Sequence, residues 1–170
     1  MIETVTQQNL SEYEAFLRAH PRGSVFQSAR WAQQKPQWQF CAFLYRNDQG
    51  AVAGTLSVLL RRLPFLPQCV IYGCRGPVCD PDDAAAAAAL AQALRQFARA
   101  KHAWLVRLDP PFQEQERALL CLQQAGFLPR RGGGYLPACA KRSWMVPLAQ
   151  DTLASLAQCY SEEHRRGVQL

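Results

Sequence analysis

Apolar residues recur along this chain with two different periods. From Trp38 to Tyr45 they alternate, placing Trp38, Phe40, Ala42 and Leu44 on one side. After Asn47-Asp48-Gln49-Gly50 the alternation resumes at Val52, Gly54, Leu56, Val58 and Leu60. A period of two on both sides of a polar, glycine-ended turn predicts a β-hairpin. Cys69 to Gly73 predicts a third strand and Ala103 to Asp109 a fourth, stopped by Pro110-Pro111. Between them the spacing changes to that of a helix. Asp82-Asp83 precede an alanine run, Leu90, Leu94 and Phe97 share one face, and Arg95, Arg99 and Lys101 gather near the end, as the helix dipole favours.

The flanks are read the same way. Ser11-x-x-Glu14 predicts a capping box opening a helix that ends near His20-Pro21. A second helical turn is expected from Ser28 through Trp31 toward Lys35, with Pro36 stopping it. Gln113 to Ala125 predicts a helix closed by Gly126, with Phe127 folding back on Leu122. Ser143–Leu148 suggests a last strand, and Asp151 caps a helix bearing Leu153, Leu156, Ala157 and Tyr160. The order α-α-β-β-β-α-β-α-β-α describes an α/β (α+β) domain with a mixed, mostly antiparallel sheet flanked by helices.

The length of 170 residues suits a single domain, and 49% hydrophobic residues can build a real core. The net charge of +6 favours phosphorylated ligands, nucleic acids or anionic membrane faces without choosing among them. The pairs Arg61-Arg62, Arg130-Arg131 and Arg165-Arg166 each read as solvated surface. Seven cysteines without a Cys-x-x-Cys pair read as buried small hydrophobes in a reducing compartment. Without signal-peptide character at Met1-Ile2-Glu3-Thr4, or an apolar run of membrane-span length, the expected location is the cytoplasm.

No Ser-His-Asp order, carboxylate pair or metal signature emerges. His20, His102 and His164 read as surface residues. Arg131-Gly132-Gly133-Gly134 is followed by Tyr135-Leu136-Pro137 rather than a helix, so it reads as a loop and not a phosphate cradle. Two stretches carry more: Phe26-Gln27-Ser28-Ala29-Arg30-Trp31 continuing to Lys35 and Trp38, and Tyr72-Gly73-Cys74-Arg75-Gly76-Pro77-Val78-Cys79-Asp80. Arg75 can bind an anion bidentately and Asp80 can orient an amine, but on composition alone an Arg–Asp ion pair at a strand-end turn is the favoured reading.

Together these stretches resemble the FemABX family, aminoacyl-tRNA-dependent transferases that build peptidoglycan interpeptide bridges. Phe26, Gln27, Ser28, Trp31, Lys35 and Trp38 answer its first motif; Tyr72, Arg75, Gly76, Pro77, Val78 and Asp80 answer its second. The strand ending Leu108-Asp109-Pro110, the helix ending Gly126-Phe127 and the closing Tyr160 to Arg165-Arg166 stretch also look like family features.

The resemblance implies a first GNAT-like lobe over residues 1–150, with residues 151–170 leading toward a second lobe. It implies transfer of an amino acid from its tRNA ester to a stem-peptide amine on a UDP-linked or lipid-linked muropeptide, with no cofactor and no metal. Aminoacyl-tRNA is expected to engage through the second lobe, and peripheral contact with the inner membrane face is compatible with a lipid-linked acceptor. Substrate binding falls, by the same resemblance, to Lys35, Tyr72, Arg75, Asp80, Trp31 and Trp38; the catalytic residues stay unknown. This chain alone is expected to be inactive. Two other readings are an acetyl-CoA-dependent acetyltransferase, which the Arg130 to Tyr135 stretch does not support, and a non-catalytic precursor-binding lobe.

Overall fold

The computed structural model describes residues 1–113 and 115–129. Its centre is the predicted hairpin, β2 (Gln39–Arg46) and β3 (Val52–Arg62), with Phe40 opposite Leu59 and Leu44 opposite Thr55. A short β1 (Ile2–Thr4) lies antiparallel against β2. On the other edge of β3 comes β4 (Cys69–Cys74), also antiparallel, and β6 (Ala103–Asp109) runs parallel to β4. The sheet order is β1-β2-β3-β4-β6, with the two-residue β5 (Val78–Cys79) pairing separately with Gly54 and Thr55 of β3. The mixed, mostly antiparallel sheet is as expected. β1 and β5 were not foreseen, because two or three residues are too few to show a period.

Helices cover both faces. The long α3 (Ala84–Ala100) packs Leu90 and Leu94, both fully buried, against Phe43, Leu56, Val58, Leu60 and Ile71. Each such leucine contributes about 1.5–3 kcal/mol by leaving water. The alanine run has its own purpose. Ala86 and Ala87 are fully buried against Cys79 and against Ala118 of α4 (Arg117–Gln124), where larger side chains would hold the helices apart. Asp83 caps α3 by accepting from the Ala86 amide at 2.9 Å. On the opposite face, α1 (Leu10–Ala19) buries Tyr13 and Leu17 against Ala42, Leu44 and Val78.

Two expected boundaries shift. The capping box does not form: the N-cap is Asn9, Ser11 lies inside α1, and the Glu14 carboxylate accepts instead from the Ala29 amide at 2.8 Å, at the start of α2 (Ala29–Gln33). An orphan donor on a neighbouring helix has won this carboxylate from its own helix end. Helix α4 begins at Arg117 rather than Gln113, because Glu116, its N-cap, is extended and bonded to Arg22 and to the Gln113 amide. Its end is as predicted. Gly126 has φ +91°, its amide donates to Gln123 O and that of Phe127 to Leu122 O, the double bond pattern of a Schellman motif. The expected strand at 143–148, the helix from Asp151, the Arg131-Gly132-Gly133-Gly134 loop and the boundary at 150 lie outside the described residues.

Candidate functional site

The two sequence stretches meet at one side chain. Between the part of β3 paired with β5 and the part paired with β4, the strand edge is open at Ser57. Gln27, fully buried at the end of the single 3₁₀ turn Val25–Gln27, fills that gap. Its Nε2 donates to Cys74 O (2.6 Å) and Ser57 O (3.2 Å), and its Oε1 accepts from the Ser57 amide (2.7 Å). A side-chain amide thus stands in for a missing strand residue and satisfies buried backbone groups that cannot reach water. The Tyr13 hydroxyl, also buried, donates to Gln27 O at 2.5 Å. Gly76 is fitted against this plug, since a Cβ there would lie 2.6 Å from Gln27 Nε2. Arg75, half-buried beside it, takes a left-handed φ of +54°.

Side chains alternate along β4, so Tyr72 points to the face opposite Ile71, the face that α1 occupies further along the sheet. The parallel register sets Arg107 beside Tyr72 and Asp109 beside Cys74. The Tyr72 hydroxyl donates to Asp109 Oδ2 at 2.8 Å, and Arg107 Nε and Nη2 donate to Asp109 Oδ1 at 3.2 and 3.1 Å. The Arg107 guanidinium also lies 5.5 Å from the Tyr72 ring centre. A carboxylate is thereby fixed by a phenol and a guanidinium while 23% of its side chain stays accessible. It sits where the parallel strands β4 and β6 both end, the side on which open sheets present ligand sites.

The first stretch gives two aromatic–cation pairs. Ser28 caps α2 by accepting from the Trp31 amide at 3.1 Å, and Trp31 meets Phe26 edge to face at 4.9 Å. The exposed Lys35 carries its ammonium 4.8 Å from the Trp31 ring centre. Trp38 lies under the guanidinium of Arg61 at 5.9 Å. Arg61 is two residues beyond Leu59, the β3 partner of Tyr72, and so shares the Tyr72 face.

Of the six residues expected from sequence, Tyr72 therefore belongs to a fixed polar cluster, Trp31 and Lys35 contact each other, Trp38 pairs with Arg61, and Arg75 follows the plugged strand end. Asp80 goes elsewhere: exposed, it accepts from the Asp82 amide at 2.9 Å and forms the turn into α3. Sequence reasoning passed over Arg107, Asp109 and Arg61 as site members, and over Gln27 as a structural plug. The signal for the first pair was present, as Arg107 and Asp109 alternate on one strand face just before Pro110-Pro111.

A second charged assembly holds the segment after Asp109. Arg22 Nη1 donates to Pro111 O (2.8 Å) and Glu116 Oε2 (2.7 Å), and its guanidinium lies 5.7 Å from the Phe112 ring. The Arg22 bond and charge hold the Glu116 carboxyl below the usual carboxylate range. His20 is half-buried rather than a surface residue; its Nδ1 accepts from the Arg22 amide at 3.1 Å, and burial lowers its pKa. Burial pushes the Cys79 thiol up to about 12, as suits an inert core cysteine. Among the described residues no group of three or more His, Cys, Asp or Glu side chains stands ready for a metal ion, and no helix is long and apolar enough to cross a membrane.

Comparison with known proteins places this geometry. The lipid II:glycine glycyltransferase of Staphylococcus haemolyticus (strain JCSC1435) is 26% identical over 166 residues, 94% of this chain and 39% of the relative. The chain therefore spans well under half the length of that relative. A crystal structure of FemX superposes with TM-score 0.63 and 28% identity, over 73% of this chain and 31% of that one. A probable acetyltransferase, at 15% identity and TM-score 0.59, covers 83% of this chain and 99% of its own, which shows the GNAT-like fold. The FemAB family model matches residues 7–120, a span holding the Gln27 plug, the Lys35–Trp31 pair and the Tyr72–Arg107–Asp109 cluster. The chain belongs to the FemAB family.

Proposed function

We propose that this chain is the acceptor-binding lobe of an aminoacyl-tRNA-dependent N-acyltransferase that acts on a peptidoglycan precursor. The observation that carries the reading is the Asp109 carboxylate, held by Tyr72 and Arg107 and still accessible, on the sheet face that Arg61 shares. In this transfer an amine of the stem peptide attacks the ester carbonyl of the aminoacyl-tRNA; the N–C bond forms, the ester C–O bond breaks, and one amine proton ends on the departing ribose hydroxyl. A fixed carboxylate can accept a hydrogen bond from that amine and align its lone pair, which is positioning rather than covalent catalysis. Lys35 and Arg61 supply the charge a precursor diphosphate needs.

The acceptor would be UDP-linked or lipid-linked. Aminoacyl-tRNA would be engaged by parts of the transferase beyond this lobe, and a lipid-linked acceptor brings the chain to the inner membrane face. The test is calorimetric titration with a UDP-linked muropeptide and, in parallel, with acetyl-CoA. Saturable binding of the muropeptide and none of acetyl-CoA is expected. Binding of acetyl-CoA alone would overturn the reading in favour of an ordinary acetyltransferase.

A further inference from the structure

The end of the sheet where β3 turns into β4 has a different character from the rest of the surface. We propose that this end is a docking surface for an anionic lipid bilayer. Strand β3 leaves the sheet through Arg61 and Arg62, both exposed, into Leu63-Pro64-Phe65-Leu66-Pro67. Phe65 is fully exposed at φ +61°, and Leu66 is exposed beside it. Across from the loop Trp104, 73% exposed, lines a shallow apolar pocket with Leu63, Leu66 and Gln68. Single exposed apolar residues are ordinary, but a phenylalanine, a tryptophan and two leucines gathered at one end are not.

Among the described residues, the strand and helix segments that build this end carry charge of one sign. No Asp or Glu occurs between Asp48 and Asp80, nor between Asp83 and Asp109, the segments that supply β3, β4, α3 and β6. Arg62 and Ala103 both pair with Cys69, whose Sγ donates to Lys101 O at 3.3 Å, so Arg62 and Lys101 are held at the same end as Trp104. Aromatic rings flanked by cations suit the headgroup layer, where the rings settle at the acyl boundary and the cations meet lipid phosphates. A nucleic acid would use the cations and stack its bases on Phe65 or Trp104, but it would gain little from the aliphatic Leu63 and Leu66, which a bilayer takes up with the rings. The surface also adjoins the candidate site, since Arg61 lies over Trp38 and shares the Tyr72 face. In that respect the inference deepens the reading of a lipid-linked acceptor and rests on it for its purpose, though not for its residues.

The test is co-sedimentation of the chain with vesicles of mixed phosphatidylglycerol and phosphatidylcholine, and of phosphatidylcholine alone, with no muropeptide present. Failure here would therefore leave the transferase reading standing. The expected result is pelleting with the anionic vesicles, at least tenfold weaker on the neutral ones and weakened by salt. The double variant Phe65→Asp/Leu66→Asp should lose at least tenfold, and Trp104→Phe should remove a blue shift in tryptophan emission. These side chains are exposed, so an unchanged melting temperature verifies the fold of each variant. Three results would overturn the proposal: no pelleting, equal pelleting of the double variant, or tighter binding of single-stranded RNA than of the anionic vesicles. Self-association lost in the double variant, without vesicle binding, would assign the patch to a second copy and equally overturn it.

Discussion

Gln27 has no contact with solvent, yet its amide serves three backbone groups on two strands. Gln27→Ala would leave Ser57 N and Ser57 O buried without the plug's bonds, each worth about 1–3 kcal/mol, and would remove a third bond, that to Cys74 O. Shared relaxation makes the sum smaller, so a loss of about 3–5 kcal/mol is expected in urea denaturation, and a loss under about 1 kcal/mol would contradict the plug. Lys35 is the opposite kind of residue. It is exposed above Trp31, so Lys35→Ala should leave stability unchanged. If its ammonium meets a diphosphate, precursor affinity should fall by about 1.5–3 kcal/mol, roughly tenfold to a hundredfold, with the deficit shrinking as salt rises. Equal affinities at low salt would make Lys35 ordinary surface. Lys35 becomes a candidate through the family motif, in which Trp31 and Trp38 flank it. Sequence identifies Gln27 as a motif residue without its purpose, since a strand gap exists only after β4 and β5 have separated.

At the scale of elements, two charged assemblies hold the strand ends. Arg46 bonds Glu3 of β1 and Glu12 of α1 at 2.9 and 2.6 Å, and Arg22 bonds Glu116 ahead of α4. Bonds to these arginines hold all three carboxyls below their ordinary range. Unfolded, they take up protons first as the pH falls. The stabilisation is thus complete above about pH 4.5 and lost below it. His20 acts earlier. Its burial favours the neutral ring, so the unfolded state binds a proton sooner and stability declines as the pH falls below about 6.5. Denaturant melts at pH 7.5, 5.5 and 3.5 should show a two-stage decline, and His20→Gln should flatten the first stage. A flat profile would contradict both assignments. The hairpin, β4, β6, α3 and the Gly126 stop were legible because each has a period or a terminator of its own. β1, β5 and the Asn9 cap were not, because tertiary pairing and a rival donor at Ala29 decide them.

For the whole molecule, the central claim is that a peptidoglycan precursor seats on the sheet face bearing Tyr72, Arg107 and Asp109, with the Trp31–Lys35 and Trp38–Arg61 pairs as its anion contacts. Charge favoured an anionic ligand without choosing one, and the two motifs pointed to the family. The parallel β4–β6 register sets Asp109 and Arg107 beside the end of β4, which is why Asp109 is the carboxylate proposed for the site. Tyr72→Phe should weaken precursor binding while costing about 1 kcal/mol of stability, the worth of one hydrogen bond. Equal precursor affinities for Tyr72→Phe and wild type would remove the hydroxyl from the site. The most direct measurement is an NMR titration of the chain with UDP-linked muropeptide, following the indole N–H signals assigned by single Trp→Phe variants. The account predicts saturable shifts at Trp31 and Trp38 with Trp104 unmoved. Shifts at Trp104 alone, or none at any concentration reached, would contradict it.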